Sequence, residues 1–193
     1  MKTFYISDLH FSHANVIKFD NRPFSNIEEM NQTLIKNWNE TVSKEDKVYI
    51  LGDFCWGKKD EWIKILKQLN GQKFLVKGNH DLKQYGSDLK KYLSGIYDYH
   101  EIEDDDRQVI MCHYPMPFYK KDYDPNTYHL YGHVHVTLES TLMEKIKELI
   151  FKADDRGISA NKCQFYNVGC MMPWMDYKPR TLDEIVKAAY LDF

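Results

Sequence analysis

The apolar positions change rhythm along the chain. From Thr3 to Ser7 a β-rich run ends directly in the polar Asp8-Leu9-His10, the pattern of a buried strand that stops at polar residues. From Ile27 to Val42 the period lengthens: Ile27, Met30, Leu34, Ile35 and Trp38 share one helical face. Ser25 or Asn26 is placed to cap that helix, and Glu28 and Glu29 favour its first turn. The alternation then repeats as strand Lys47 to Leu51, turn Gly52-Asp53, helix Asp60 to Leu69, strand Lys73 to Val76 and turn Gly78-Asn79-His80-Asp81. Such a repeat predicts an α/β sheet with crossover helices.

After about residue 97 the texture shifts to closely spaced strand segments: Tyr97 to Glu103, Gln108 to Cys112, Tyr128 to Tyr131 and Gln164 to Val168. These predict a second, antiparallel or mixed sheet, with the acidic run Glu103 to Asp106 as a hairpin turn. A helix is expected over Thr141 to Lys152, a polar mobile loop over Ala153 to Lys162, and a last helix over Leu182 to Leu191. Two sheets packed together with helices outside fit this order. A chain of 193 residues without internal repeats is expected to form one domain, residues 1–193.

Composition narrows the function classes. Hydrophobic residues make up 43% and charged residues 28%, as in a soluble globular protein. A net charge of -3 gives no general attraction to nucleic acid, although a local basic patch or bound metal could still attract phosphate. The N-terminus carries an acid where a signal peptide needs apolar residues, and no later run approaches a bilayer span, so a cytoplasmic protein without a membrane partner is expected. The cysteines, Cys55, Cys112, Cys163 and Cys170, form no C-x-x-C pair and read as reduced thiols.

The chemistry-bearing residues sit where strands end: Asp8 and His10, Asp53, Asn79 with His80, His113, then His133 and His135. Strand ends on one edge of an α/β sheet are neighbours in space, and ligands bind there. The spacing by two in Asp8-x-His10 and His133-x-His135 is expected to suit an extended exit, which returns alternate side chains to one side. Gly52, Gly78 and Gly132 immediately precede these residues and permit close backbone approach. Carboxylate, imidazole and amide oxygen together suit Mn, Fe, Zn, Co or Ni better than calcium, which takes oxygen ligands. The stretch Gly52 to Lys59 nearly fits a phosphate-binding P-loop, but Lys59 stands where Ser or Thr is required and Asp53 would oppose the phosphates. His13, Asn15 and Arg22 could reach a substrate from the loop after the first strand, since an arginine fork suits phosphate. His129 reads as structural and His100 as solvated. The aromatics Trp56, Tyr114, Phe118 and Tyr119 flank the polar cluster, as packing or as a stacking surface for a base or sugar.

Asp8-Leu9-His10, Gly52-Asp53, Gly78-Asn79-His80-Asp81, His113 and Gly132-His133-Val134-His135 resemble the ordered motif set of the calcineurin-like metallophosphoesterases, and the opening residues Ser7 to Asn15 with Arg22-Pro23 resemble a small bacterial and phage subgroup of them. The resemblance implies a four-layer αββα sandwich of two mixed sheets flanked by helices. It implies one divalent cation on Asp8, His10, Asp53 and His135, and a second on Asp53, Asn79, His113 and His133, with Asp53 bridging. Manganese heads the implied metals, with Fe, Zn, Ni or Co as the others, and His80 stands beside the phosphate. The implied activity is hydrolysis of a phosphomonoester or phosphodiester by a metal-activated water, on a small-molecule or nucleotide-like substrate. Here the second motif reads Gly52-Asp53-Phe54-Cys55-Trp56-Gly57, without the acid and arginine of the family's protein phosphatases, which turns the expectation away from phosphoproteins. The competing class is a non-catalytic metal-binding scaffold of the same fold.

Overall fold

The computed structural model describes residues 1–83, 85–153 and 164–189. The first half of the chain builds a parallel sheet from β1 (Thr3–Ile6), β2 (Lys47–Ile50), β3 (Gln72–Val76) and β4 (Gly95–Tyr97), in that order. All neighbouring pairs of these strands run parallel, and an antiparallel bridge from Tyr5 to Arg180 lies on the far side of β1. Parallel neighbours need crossovers, and these are α1 (Ala14–Phe19) with α2 (Ile27–Thr41), α3 (Lys59–Leu66) and the short α4 (Ser87–Lys90). Asn26 caps α2 by accepting from the Glu29 backbone N–H at 2.9 Å, while the Glu29 carboxylate accepts from the Ser25 N–H at 2.7 Å. Met30, Leu34 and Trp38 on α2 and Trp62, Ile65 and Leu66 on α3 are buried, so the 3.6-residue stripe read in the sequence is the face that packs.

The second sheet has the order β5 (Tyr99–Asp104), β6 (Arg107–Cys112), β7 (Thr127–Tyr131), β8 (Phe165–Asn167). Only β5 and β6 are antiparallel. Their hairpin turns at Asp105 and Asp106, both with positive φ (49° and 61°), the backbone twist that favours Asp, Asn and Gly at a tight hairpin. Alternation divides this sheet into two faces. Val109, Met111, Leu130 and Tyr166 join the large core shared with the first sheet, whereas Ile110, Tyr131 and Phe165 pack with Met143 and Ile146 of α5 (Leu138–Ala153). Helices, sheet, sheet and helix therefore stack in the expected αββα order. Tyr5 ties the sheets together by donating its hydroxyl to Asp104 at 2.9 Å. The last helix, α6 (Leu182–Ala189), buries Leu182, Ile185 and Ala189.

Two expectations change. The single strand read over Tyr97 to Glu103 is two strands, because the chain leaves the first sheet at Tyr97 and enters the second at Tyr99; period-2 patterning carries no mark of a change of sheet. The helix expected from Thr141 begins earlier, at Leu138. The loop proposed over Ala153 to Lys162 begins with the last residue of α5 and otherwise lies outside the described residues, as do Cys163 and the end proposed at Leu191. Cys55, Cys112 and Cys170 are free thiols. No helix among the described residues is long and apolar enough to cross a membrane.

His129 is structural. Its ring is fully buried on β7; Nδ1 faces the Ile110 carbonyl at 3.2 Å and must donate, while Nε2 accepts from the Met116 N–H at 3.1 Å. Burial pushes its pKa from 6.5 down to about 4, so the folded protein keeps it neutral. Below about pH 6.5 the unfolded chain takes up a proton that the folded chain refuses, and stability falls with pH until about pH 4, by roughly 3 kcal/mol for this group. His129→Gln should accordingly show a shallower loss of stability than the parent between pH 6.5 and 4 in denaturant titrations. Identical slopes would show that His129 does not hold its neutral form.

Candidate metal centre

Because β1, β2 and β3 are parallel, the residues leaving them emerge on one edge: Asp8, Asp53 and Asn79 each follow one of these strands. The second sheet brings His113 from the end of β6, and His133 and His135 from beyond β7. Ser7 joins the two edges, its N–H donating to the Val168 carbonyl and its carbonyl accepting from the Cys170 N–H, both at 2.8 Å.

The backbone there is unusual. Asp8, His10, Asp53 and His133 have φ values of 54°, 49°, 51° and 68°, in the left-handed region that non-glycine residues rarely adopt. The expected extended exit is therefore corrected: Asp8 and His10 meet through two left-handed residues, with the Asp8 N–H donating to the Gly52 carbonyl at 3.1 Å and the His10 N–H to the Asp53 carbonyl at 2.9 Å. The glycines give the room this requires. A Cβ at Gly132 would strike Ser7 and the Asp8 carboxylate, one at Gly78 the Asp53 carboxylate, and one at Gly52 the His113 ring.

The side chains converge as two overlapping groups, Asp8 with His10 and His135, and Asp8 with Asp53 and His113; within each group the donor atoms lie within 4.8 Å of one another. His10 Nε2 stands 3.3 Å from His135 Nε2 and 3.7 Å from Asp53 Oδ2. His113 Nε2 stands 3.5 Å from the same Asp53 oxygen and 3.0 Å from Asn79 Oδ1, which His133 Nδ1 also meets at 3.0 Å. Each residue expected as a ligand is thus drawn into one cluster. The donor set of imidazole nitrogens, carboxylate oxygens and one amide oxygen fits a borderline divalent cation.

Two carboxylates buried this close demand positive charge. Burial alone would raise Asp8, but its hydrogen bond with His135 and the charges of His113, His135 and His10 hold it well below the usual carboxylate range. Asp53 is lowered in the same way, against burial, by His113. Burial pushes against protonation of His113 and His135 too; there the hydrogen bond to Asp53, and those to Asp20 and Asp8, win and raise both to about 9. His10, where burial prevails, falls to about 4.

Around this cluster opens a cleft of about 360 Å³, lined by His10, His13, Asn15, Val16, Phe19, Asp53, Trp56, His80, His133 and His135. His80 is exposed, with its backbone N–H donating to Asp53 Oδ1 at 2.9 Å. His13 and Asn15 line the cleft as expected of residues reaching toward a substrate, but Arg22 does not. Its guanidinium is buried and committed: Nη2 donates to the Asp8 carbonyl at 2.9 Å, Nη1 to the Leu9 carbonyl at 3.0 Å, and Nε to Asp20 at 2.9 Å. His100 is stacked on Tyr97 with centroids 3.7 Å apart, so its ring is packed rather than solvated.

Three supporting side chains were not singled out in the sequence. Asp20 binds His135 Nδ1 at 2.7 Å and Arg22 from its other side, closing a ring from Asp8 through Arg22 and Asp20 to His135. Asp81 accepts the N–H groups of Gly78, Phe54 and Asp53 at 2.8, 2.9 and 3.1 Å, pinning two ligand loops; burial lifts its pKa to about 6. Asn167 donates to the Val134 carbonyl at 2.6 Å and fixes the segment between His133 and His135. Asp81 was visible within its motif; nothing local signals that Asp20 meets His135 or that Asn167 meets Val134, because those partners are more than 30 residues away.

The calcineurin-like phosphoesterase superfamily domain matches residues 1–183. An uncharacterized protein of Methanocaldococcus jannaschii is 36% identical over 188 residues, covering 96% of this chain and 90% of its own. The gene 66 protein of Mycobacterium phage L5 is 38% identical over 82 residues, 41% of this chain and 39% of its own. Among solved structures, a protein of unknown function from Aquifex aeolicus superposes with a TM-score of 0.68 at 30% identity, over 96% of this chain and 97% of that one.

The ring through Arg22 and Asp20 makes a direct prediction. Arg22→Met leaves the Asp20 carboxylate with His135 alone and strips the Asp8 and Leu9 carbonyls of their donor, and should lower stability by roughly 3–5 kcal/mol in denaturant titrations. Asp20→Ala frees the far side of the His135 ring and should weaken divalent-cation binding about 10–100-fold by calorimetric titration. Unchanged affinity would mean that Asp20 does not orient His135.

Proposed function

Since the chain belongs to the calcineurin-like phosphoesterase superfamily, we propose that it hydrolyses a phosphoester with two divalent cations, manganese foremost. The observation that carries this reading is the convergence of two overlapping donor groups beside one cleft. Asp8, His10, Asp53 and His135 would hold one cation, and Asp53, Asn79, His113 and His133 the other. Asp8 belongs to both donor groups, yet Asp53 would be the residue shared by the two cations, since its Oδ2 faces His10 at 3.7 Å on one side and His113 at 3.5 Å on the other. When bound, such cations supply Lewis acidity toward a phosphoryl oxygen and an attacking water.

The chain's own part is positioning and proton transfer. Left-handed residues and glycines hold the donors in place before any substrate arrives, so no reorganisation is required during reaction. His80 is tethered through its backbone N–H to Asp53 while its exposed side chain lines the cleft, its ring 5.8 Å from the His10 ring. That is the place from which an imidazole can protonate a departing ester oxygen. His13 and Asn15 line the cleft, where they can contact the substrate's unreacted portion.

Purified protein loaded with Mn²⁺ is expected to hydrolyse p-nitrophenyl phosphate or its bis ester. His80→Ala should reduce turnover by roughly 10²–10⁴-fold with cation content preserved, and Asp53→Asn should lower both turnover and cation content by elemental analysis. Full cation loading without hydrolysis of any ester across several metals would leave the non-catalytic scaffold as the better reading.

A further inference from the structure

The cleft is lopsided. Its floor is polar, but one wall is a row of rings: Phe19 lies 6.2 Å from His13, His13 stacks on Trp56 at 4.1 Å with planes 8° apart, and Trp56 lies 5.0 Å from His80. These rings are not core. Phe19 is 73% and Trp56 51% exposed. The wall is also held in place. The Trp56 backbone N–H donates to the Phe11 carbonyl at 2.9 Å, next to the parallel bridge between Phe11 and Cys55. His13 Nδ1, a buried atom, has no hydrogen-bond partner among the described residues. Exposed aromatic side chains fixed beside a polar centre are a surface for a flat ring.

Size and charge narrow the ligand. About 360 Å³ is far more than one phosphate group fills and lies in the range of sites that enclose small organic molecules. No lysine or arginine lines the cleft among the described residues, so nothing there tracks a second phosphate, as a groove for a nucleic-acid strand must. From these features we infer that the substrate is a single nucleoside phosphoester, whose base stacks on the Phe19, His13 and Trp56 wall while its phosphate lies against the polar floor. This rests on the phosphoesterase reading and adds the identity of the ester group. Tyr114 and Phe118, which the sequence also offered as stacking residues, do not line this cleft.

The test compares two non-hydrolysable phosphonates, one the analogue of adenosine monophosphate and the other of ribose phosphate, binding to the Mn²⁺-loaded protein in calorimetric titrations. The nucleoside analogue should bind roughly tenfold tighter or better, the advantage that stacking one base on an aromatic side chain provides. Trp56→Ala should erase that advantage and leave the ribose analogue's affinity unchanged. Phe19→Ala, at a still more exposed position, should reduce it and decides the matter if the tryptophan variant fails to fold by circular dichroism. Equal affinities in the parent protein, or an advantage that survives in the folded variants, would overturn the inference. So would hydrolysis of p-nitrophenyl phosphate with neither analogue bound, which leaves the phosphoesterase reading standing. Absence of both binding and hydrolysis would remove that reading and the inference with it.

Discussion

The constraint that organises this molecule is the burial of two carboxylates, Asp8 and Asp53, in one donor cluster between two sheets. Neither can be ionised there without positive charge close by, because taking an unpaired carboxylate out of water is too unfavourable to sustain. The fold answers with the charge of His113 and His135 in the cluster, while Arg22 behind it balances Asp20. Arg22 does more than offset charge. By donating to the carbonyls of Asp8 and Leu9 it holds the loop that carries Asp8 and His10, and through Asp20 it sets the ring of His135. Charge balance and ligand orientation are thus one network.

That network is built on backbone that an ordinary fold would avoid. Asp8, His10, Asp53 and His133 all lie in the left-handed region, and residues held in such sparsely populated regions typically cost on the order of 1–3 kcal/mol each. Such conformations persist only where the surroundings over-determine them. Here they do: Asp81 collects the N–H groups of Gly78, Asp53 and Phe54, and the Trp38 and Trp62 core fixes the helices behind the parallel sheet. Stability from the core is spread over many contacts, whereas strain is concentrated at the site, the division expected where geometry matters more than local preference.

Much of this was legible in the sequence because its signals are local. Alternation and helical period located the strands and the amphipathic helices, and parallel order followed from the repeat of strand, helix and strand. The ligand residues were legible as polar side chains placed where apolar runs end. What local patterns could not carry was the partner of a side chain across the fold. Arg22 read as a fork that could reach phosphate from the loop after the first strand, yet its donors point inward; nothing at positions 20 to 22 tells that the carbonyl of Asp8 will arrive there. The change of sheet after Tyr97 was hidden for the same reason, since a strand's pattern records which face is buried and not which neighbour it pairs with.

The two sides of the cleft differ in a way that bears on how specificity can change. On the floor, almost every donor has a partner, and a substitution at one residue propagates through Asp53, Arg22 or Asp81 to several others. Along the wall, Phe19 and Trp56 are more than half exposed, with the His13 ring stacked on Trp56. A site arranged like this can hold its reacting atoms constant while the entrance varies, because the strained, charge-balanced part tolerates little change and the exposed part tolerates a great deal. The chemistry is therefore bound to the topology of the sheets. On the reading inferred above, the choice of substrate would fall to exposed side chains such as Phe19 and Trp56.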